Sequence, residues 1–494
     1  MENRFNLIDE PWIPIADIGR VGLKDLFIHP EFRTLGGNPV QKVAIMKLLQ
    51  ALAQAATTPR DMDEWQQRGW RGMADRICSY LEQWHERFYL YGKHPFLQLP
   101  AISQAAIKSF ATVLPDVATG NTTVLTQSQV EKPLDDGEKA LLLLTQMSFA
   151  LGGKKTDNSR VLTPSYRGKS NDKGKPSTGK PGPSVAHMGM LHNYCLGTSL
   201  LESVWLNLFT EAEINGLTIY PNGLGVAPWE QMPQGEDCEV ARQLKGSLMG
   251  RLVPLCRFCL LTDEGLHYSE GIAHGNHKDG IFDPSVAVDA SGKEAKVRWA
   301  NPELRPWREL TSLLGFIVQE RSPFDCIQLR LALPKACRQA TPIAIWSGGL
   351  RVSSNAGEQY VSGSDDVVES LCWLHPEQLG DIWFKMLQTE MDELDKLARS
   401  LYGCVMGYFK AQLMEGESYA KQASHLFWQL SERQCQALLD NCNNATVRQQ
   451  LRRQFARYAT QVFDQTCPNH TARQMDAWAK TKPNFAAYLK QEHE

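Results

Sequence analysis

The sequence has almost no excess charge of either sign. Its 494 residues hold 52 Lys and Arg against 55 Asp and Glu, a formal net charge of −3. That balance excludes a free-standing, strongly basic nucleic-acid binder. Any contact with DNA or RNA would come from local patches, or from partners that supply the remaining positive field. No apolar run approaches the length needed to span a bilayer. Met1-Glu2-Asn3-Arg4 leads into a proline-broken segment, not the apolar core of a signal peptide. The 12 cysteines, scattered from Cys78 to Cys467, form no compact disulfide framework, so reduced thiols and a cytoplasmic location are expected. A P-loop, a GxGxxG after a strand and a Ser/His/Asp order are all lacking. No catalytic constellation emerges and no cofactor is called for, so the chain is expected not to be an enzyme.

What is present is ordinary for a globular protein: 43% hydrophobic and 22% charged residues, in a chain long enough for one large core plus a second domain. Phe5 to Ile15, F-N-L-I-D-E-P-W-I-P-I, describes a short strand broken by Pro11 and Pro14, which suits a sheet edge or bulge. Asp17-Ile18-Gly19 turns it back into Val21-Gly22-Leu23 as a hairpin return. Asn38-Pro39 caps a helix from Val40 to about Ala56, and a second helix runs from about Asp61 to His85. Tyr91 to Gln98 reads as a turn and an extended piece, and about Glu138 to Leu151 as an apolar helix. Further helices are expected from His187 to about Glu211 and from Pro302 to Glu320. Strands are expected over Leu252–Leu260, paired with Leu266–Ser269 around Asp263-Glu264-Gly265, and over Cys326–Leu333.

From about Glu377 onward four helical segments follow: about Gln378–Leu413, Ser418–Asp440, Ala445–Thr466 and Thr471–Gln491, with short connections that favour antiparallel neighbours. The expected class is α+β. A large mixed α/β domain would span residues 1–374, with a flexible basic loop at about 152–183, and a C-terminal four-helix bundle would span 375–494. Within that loop stand eight Lys and Arg (Lys154, Lys155, Arg160, Arg167, Lys169, Lys173, Lys175, Lys180) against Asp157 and Asp172. The segment is either a solvated charge run or a tracker of phosphates that adds salt-dependent affinity without sequence information.

The opening motif, the His94-Pro95-Phe96-x-Gln98 stretch and the mixed-domain-plus-bundle layout resemble one family, the CasA large subunits of the type I-E CRISPR surveillance complex, Cascade. A further block, Trp346 to Ser370, begins W-S-G-G-L-R-V-S-S-N-A-G and strengthens the resemblance. On residues alone, Gly348-Gly349 allows a tight, positive-φ turn, and Ser353-Ser354-Asn355-Ala356-Gly357 is a polar hairpin or surface loop. The resemblance implies more: a wedge beside the protospacer-adjacent motif, with Ser353, Ser354 and Asn355 where the duplex opens. The better-known wedge carries successive amide side chains, whereas this chain offers only Asn355. Parting a base-pair step costs a few kcal/mol of stacking, and inserted side chains offset that loss.

The resemblance also implies a glycine loop at Gly152-Gly153, with Lys154 beside it, approaching the groove; Gly152 could equally be the C′ residue that ends helix 138–151. Asn121, Lys155 and Arg351 would contact DNA or guide RNA, and Arg257 would complete the groove contact; Arg257 could equally be a solvent-facing strand arginine. Arg448, Arg452, Arg453 and Arg457 recur at helical spacing, as an exposed face or as a stripe for the displaced strand. The implied function is a non-catalytic large subunit that recognises the flanking motif in duplex DNA, starts strand separation and R-loop formation, and helps recruit a helicase-nuclease in antiviral defence. Implied partners are the guide RNA, double-stranded target DNA, the backbone, small and handle-binding subunits, and the helicase-nuclease; no membrane is implied. Two other readings remain. One is a metal-dependent nuclease using His274 and His277, and the other is a purely structural scaffold. Cys256-x-x-Cys259 invites a zinc site, but residues three apart on a strand point to opposite faces.

Overall fold

The computed structural model describes residues 2–113, 133–149, 156–157, 160–166, 189–275, 277–280, 282–318, 324–355, 358–360 and 367–490. It is a mixed α and β protein with a helical C-terminal region. The chain divides into two compact units, Met1–Pro302 with Pro323–Ser370, and Glu303–Ser322 with Leu371–Glu494. The second unit therefore draws a segment from mid-chain that a boundary near residue 374 leaves with the first.

In the first unit, β1 (Arg4–Asn6) is followed by β2 (Ile13–Ile15), which pairs with β3 (Gly19–Val21) in the expected hairpin, Ile13 opposite Val21. Asp17 at φ +62° and Gly19 at φ +120° make the turn. Trp12 is buried, and its indole N–H donates to the Leu7 carbonyl at 2.9 Å, which folds the opening motif onto itself.

Helix α1 (Pro39–Thr57) begins with a reciprocal cap: Asn38 Oδ1 accepts from the Gln41 amide and Gln41 Oε1 accepts from the Asn38 amide, each at 3.0 Å. Ala44, Ile45, Leu48, Leu49, Ala51, Leu52 and Ala53 are all buried, so α1 is the central helix of this unit, enclosed on every side. Each of its buried polar residues makes at least one hydrogen bond, although Gln50 Oε1 has none among the described residues. Gln50 donates to the Asn207 carbonyl at 2.8 Å, Gln54 accepts from the Phe209 amide at 2.6 Å, and Lys47 reaches Asp283 at 2.6 Å. Helix α2 (Met62–Gln83) follows, kinked at Gly69, and leads to β4 (Tyr89–Tyr91), which pairs with β1. Helix α3 (Asp136–Phe149) begins two residues before the expected apolar helix, whose last two residues, 150 and 151, lie outside the described residues.

Four sequence expectations fail here. In place of a helix over 187–211 stand β5 (His192–Leu196) and two short helices, Leu200–Leu206 and Glu211–Gly216, capped by Ser199 and Thr210. β5 is buried on both faces, so it shows no alternation to betray it. The strand expected from Leu252 starts later, as β6 (Arg257–Leu261), because Met249–Leu252 is a helical turn and Leu255 adopts φ +47°. β6 pairs with β7 (Leu266–Glu270) in the expected hairpin. The strand expected over 326–333 is instead α4 (Ile327–Gln339). A short apolar run cannot separate strand from helix by periodicity, and Pro334, which reads as a terminator, is accommodated within the helix. The helix expected over 302–320 is broken into Pro306–Glu309, Leu310–Leu313 and Gly315–Val318.

Strand β8 (Ile343–Leu350) lies at the centre of a three-stranded sheet between β5 and β11 (Val367–Leu374), with β9 (Ser353–Asn355) and β10 (Glu358–Tyr360) inserted between β8 and β11 in sequence. In the second unit, α5 (Asp381–Ala411), α6 (Glu417–Glu432), the short α7 (Cys435–Asn441), α8 (Ala445–Thr466) and α9 (Ala472–Thr481) run in order; α5, α6, α8 and α9 form the four-helix bundle. Its core includes Leu394, Leu401, Val405, Phe427, Phe455, Ala459 and Phe463. The mid-chain segment joins it through Trp307, packed edge-on against Trp428 at 5.8 Å, and through Arg305, whose Nε donates to Glu432 at 3.0 Å.

Candidate nucleic-acid interface

The sheet of β5, β8 and β11 carries the hairpin that the resemblance singles out. β8 pairs antiparallel with β5, with Ala344 opposite Leu196 and Gly348 opposite His192. The glycine pair belongs to this strand and not to a turn, and neither glycine has positive φ. Their smallness serves packing. A Cβ on Gly348 would meet the Trp346 ring at 2.5 Å, and one on Gly349 would meet the Met190 carbonyl oxygen at 2.6 Å. The backbones therefore approach as only glycine permits. Arg351 follows, half-buried at the exit of β8.

β9 and β10 then form a separate antiparallel pair, Ser353 opposite Tyr360, Ser354 opposite Gln359 and Asn355 opposite Glu358. This register puts Ser353, Ser354 and Asn355 on the outgoing arm of a hairpin whose closing residues, 356 and 357, lie outside the described residues. Asn121, Gly152, Gly153, Lys154 and Lys155 also lie outside them, as does most of the basic loop.

Arg257 differs from both of its expected roles. It is 3% exposed, and its guanidinium donates to the Cys256 carbonyl at 2.8 Å. It presents no cation to the surface in this arrangement: β6 packs against α3 and is paired along its edge with β7.

The four arginines of α8 do not form one stripe. Arg452 is buried and holds Glu390 of α5 through two hydrogen bonds, while Arg448 Nε stands 3.5 Å from the same carboxylate. Arg453 and Arg457 are exposed and line an open groove with Ala456, Thr460, Gln461 and Phe485. Residues four apart share a helix face, whereas the next residue lies about 100° around the axis. Two arginines therefore bind the bundle together and two face solvent.

The histidines of the nuclease alternative are not equivalent. His274 is buried, its Nε2 lies 2.6 Å from the Pro254 carbonyl oxygen, and burial with Arg251 nearby pushes its pKa down to about 3. A neutral imidazole spent on a backbone carbonyl inside the core is poorly placed to act on a phosphodiester. His277 packs edge-on against Trp299 at 6.3 Å. At the C-x-x-C, the Cys256 thiol donates to the Met147 carbonyl at 2.7 Å, and burial pushes the Cys259 thiol up to about 12. Both are packed as apolar thiols, and a raised pKa opposes the thiolate that zinc requires. Among the described residues no group of three or more His, Cys, Asp or Glu could hold a metal.

Sequence reasoning missed the polar centre beneath this sheet. Lys47 Nζ lies 2.6 Å from Asp283 Oδ2, Asp283 Oδ1 accepts from the Ser285 hydroxyl at 2.7 Å, and Ser285 Oγ is 2.9 Å from His192 Nδ1 on β5. Burial alone would raise the Asp283 pKa, but Lys47, His192 and Ser285 hold it below the ordinary carboxylate value. The participants are separated by up to 236 residues, and no local signal connects them.

A family model for CRISPR-associated protein Cse1 matches residues 6–464. The curated CasA/Cse1 protein of Thermus thermophilus is 31% identical over 163 residues, a stretch covering 30% of this chain and 32% of that relative. That match therefore spans about a third of the relative's length. Over the full chain, a solved Thermus thermophilus CasA (Cse1) superposes with TM-score 0.73 at 21% identity, covering 99% of both chains. Thermobifida fusca Cse1 superposes with TM-score 0.77 at 20% identity, covering 98% of this chain and 97% of that one. A chain of a structure described as a CRISPR RNA-guided surveillance complex gives 0.64 at 15% identity, covering 98% and 99%. These likenesses extend the shared fold across both units.

Proposed function

We infer, because this chain belongs to the CRISPR-associated Cse1 (CasA) family, that it works as the large subunit of a type I-E RNA-guided surveillance complex. In that complex it recognises the protospacer-adjacent motif in duplex DNA, starts strand separation and R-loop formation, and helps recruit the helicase-nuclease. It does so without breaking a covalent bond. Its partners are the guide RNA, target duplex DNA, and the backbone, small and handle-binding subunits, in the cytoplasm. Among the described residues, no helix is long and apolar enough to cross a membrane.

The observation that carries this reading is the family match over residues 6–464, which includes the sheet and the Ser353–Tyr360 hairpin it supports. The hairpin leaves a rigid, buried strand, β8, whose eight residues are all buried. A wedge needs such an anchor, since force applied at its tip must not be absorbed by the base. Base identity elsewhere in the target would be read by guide pairing, leaving this chain a short, degenerate motif.

The decisive experiment compares the assembled complex with and without this chain on targets that carry or lack the flanking motif, by electrophoretic mobility shift. Loss of motif-dependent binding on omission supports the reading, and equal discrimination without the chain overturns it. Gly152→Asp or Gly153→Asp should likewise abolish motif-dependent binding while leaving assembly intact.

A further inference from the structure

In the first unit, a cleft of about 300 Å³ opens between the His94-Pro95-Phe96 stretch and the 228–234 segment, remote in sequence from the hairpin. Its floor is apolar: Leu97, Leu99, Pro228, Met232 and Pro233 lie over the buried Trp229. Trp229 is locked below by Phe88 and Phe96, at 5.8 and 6.1 Å, and by its indole N–H on Tyr80 at 2.7 Å. The cleft also carries two cations, Arg87 and Lys93, and the exposed imidazole of His94, with no acid in the lining. None of these three side chains makes a hydrogen bond or ion pair among the described residues.

Two backbone features shape this cleft. Gly92 at φ +152° makes the turn before Lys93, and a Cβ there would meet Asn3 Oδ1 at 2.3 Å. Leu97 is a non-glycine residue at φ +53°, and such strain tends to persist at ligand clamps. The one buried amide, Gln98, is already committed, donating to the Leu90 carbonyl at 2.6 Å and accepting from the Leu261 amide at 2.7 Å.

We propose that this cleft binds one unpaired nucleotide of a single-stranded nucleic acid, its base on the Pro228–Met232–Pro233 floor and its phosphate on Arg87 and Lys93. The volume, about 300 Å³, lies at the lower end of the range of small-ligand pockets. Unpartnered cations beside an apolar floor suit a group that is flat at one end and anionic at the other. A peptide would bring backbone amides that need partners, and the buried Gln98 offers none. With stacking and charge as its only means, the cleft accepts any base. The inference rests on the chain being a nucleic-acid-binding subunit and adds a contact distinct from motif recognition.

The test measures fluorescence anisotropy of a fluorescein-labelled eight-nucleotide oligouridine RNA and its DNA counterpart with the purified chain, against Arg87→Glu/Lys93→Glu. Uridine monophosphate, inorganic phosphate and polyglutamate serve as competitors, and RNA carrying 4-thiouridine serves for cross-linking. The expected result is at least tenfold weaker binding in the double variant at unchanged melting temperature. Cross-links should fall within residues 93–101 or 228–234, and uridine monophosphate should compete better than phosphate. The tighter of the RNA and DNA arms identifies the strand. Binding within twofold of wild type, cross-links elsewhere, or equal competition by phosphate or polyglutamate overturns the proposal. Motif-dependent duplex binding by a complex carrying the same variant is measured in parallel. Its retention alongside either result shows that the motif-recognition reading stands or falls independently.

Discussion

Arg452 of α8 and Glu390 of α5 meet as a planar fork, Nε 2.9 Å from Oε2 and Nη2 2.7 Å from Oε1, with both side chains almost wholly excluded from water. An arginine that recurs at helical spacing in a basic run can thus serve the bundle and not a ligand. A buried pair of this kind is dangerous to break and inexpensive to replace as a whole.

Glu390→Ala should destabilise the second unit by about 3–5 kcal/mol, because Arg452 is left buried without its carboxylate, and Arg452→Ala should cost less, because Arg448 still stands 3.5 Å from Glu390. Arg452→Met with Glu390→Leu should recover most of that loss. Chemical denaturation of the purified chain measures it; single variants as stable as the parent would show that the pair does not hold α5 to α8.

Acid should unfold the first unit early. His274 and His192 are buried and neutral, their pKa values pushed down to about 3 and about 4 by burial, with Arg251 beside His274. Each depressed pKa gives stability that is fully present above the unfolded value of about 6.5 and lost as pH falls towards the folded value. The melting temperature should therefore begin to drop near pH 6.5, well above the range in which ordinary carboxylates protonate, and continue to fall down to about pH 4. His274→Gln should flatten this slope; an unaltered profile in the variant would remove His274 from the account.

Gly349→Val should lower thermal stability by about 1–3 kcal/mol, since overpacking a close backbone contact forces strands apart. The first Cβ would already stand 2.6 Å from the Met190 oxygen and 2.9 Å from the Ala300 Cβ. Differential scanning calorimetry of the variant is the measurement, and an unshifted transition would contradict the packing argument.

Replacing Ser353, Ser354 and Asn355 together by Ala should weaken motif-dependent binding of the assembled complex without lowering the melting temperature of the chain. These residues lie beyond the end of the buried strand, in a pair of their own. Undiminished discrimination between targets with and without the motif would show that this hairpin is not the wedge.

Periodicity and caps made much of the fold legible. Asn38-Pro39, the Asp17-Ile18-Gly19 turn and the amphipathic C-terminal helices each state their structure within a few residues. Failures came where burial was two-sided or the apolar run was short. β5 is enclosed on both faces and reads as part of a helix over 187–211, and Ile327–Gln339 offers no local reason to prefer helix over strand before Pro334. The polar hairpin after the glycine pair was legible in the sequence, but the packing of the strand that carries it was not. The glycines at 348 and 349 marked a special backbone, yet what they accommodate is Met190 and Ala300, far away in sequence.

The order of residues alone determined the class of the fold, the opening hairpin, the bundle and the family, because all of these rest on local patterns repeated along the chain. Tertiary structure alone decided which charges face water. Arg257 is enclosed between a helix and a strand, Arg452 is turned inward onto Glu390, and Lys47 is matched to Asp283 across 236 residues. The physical reason is that burying a charge depends on what the rest of the chain brings to it. No spacing along α1 or α8 encodes where the opposing carboxylate will stand.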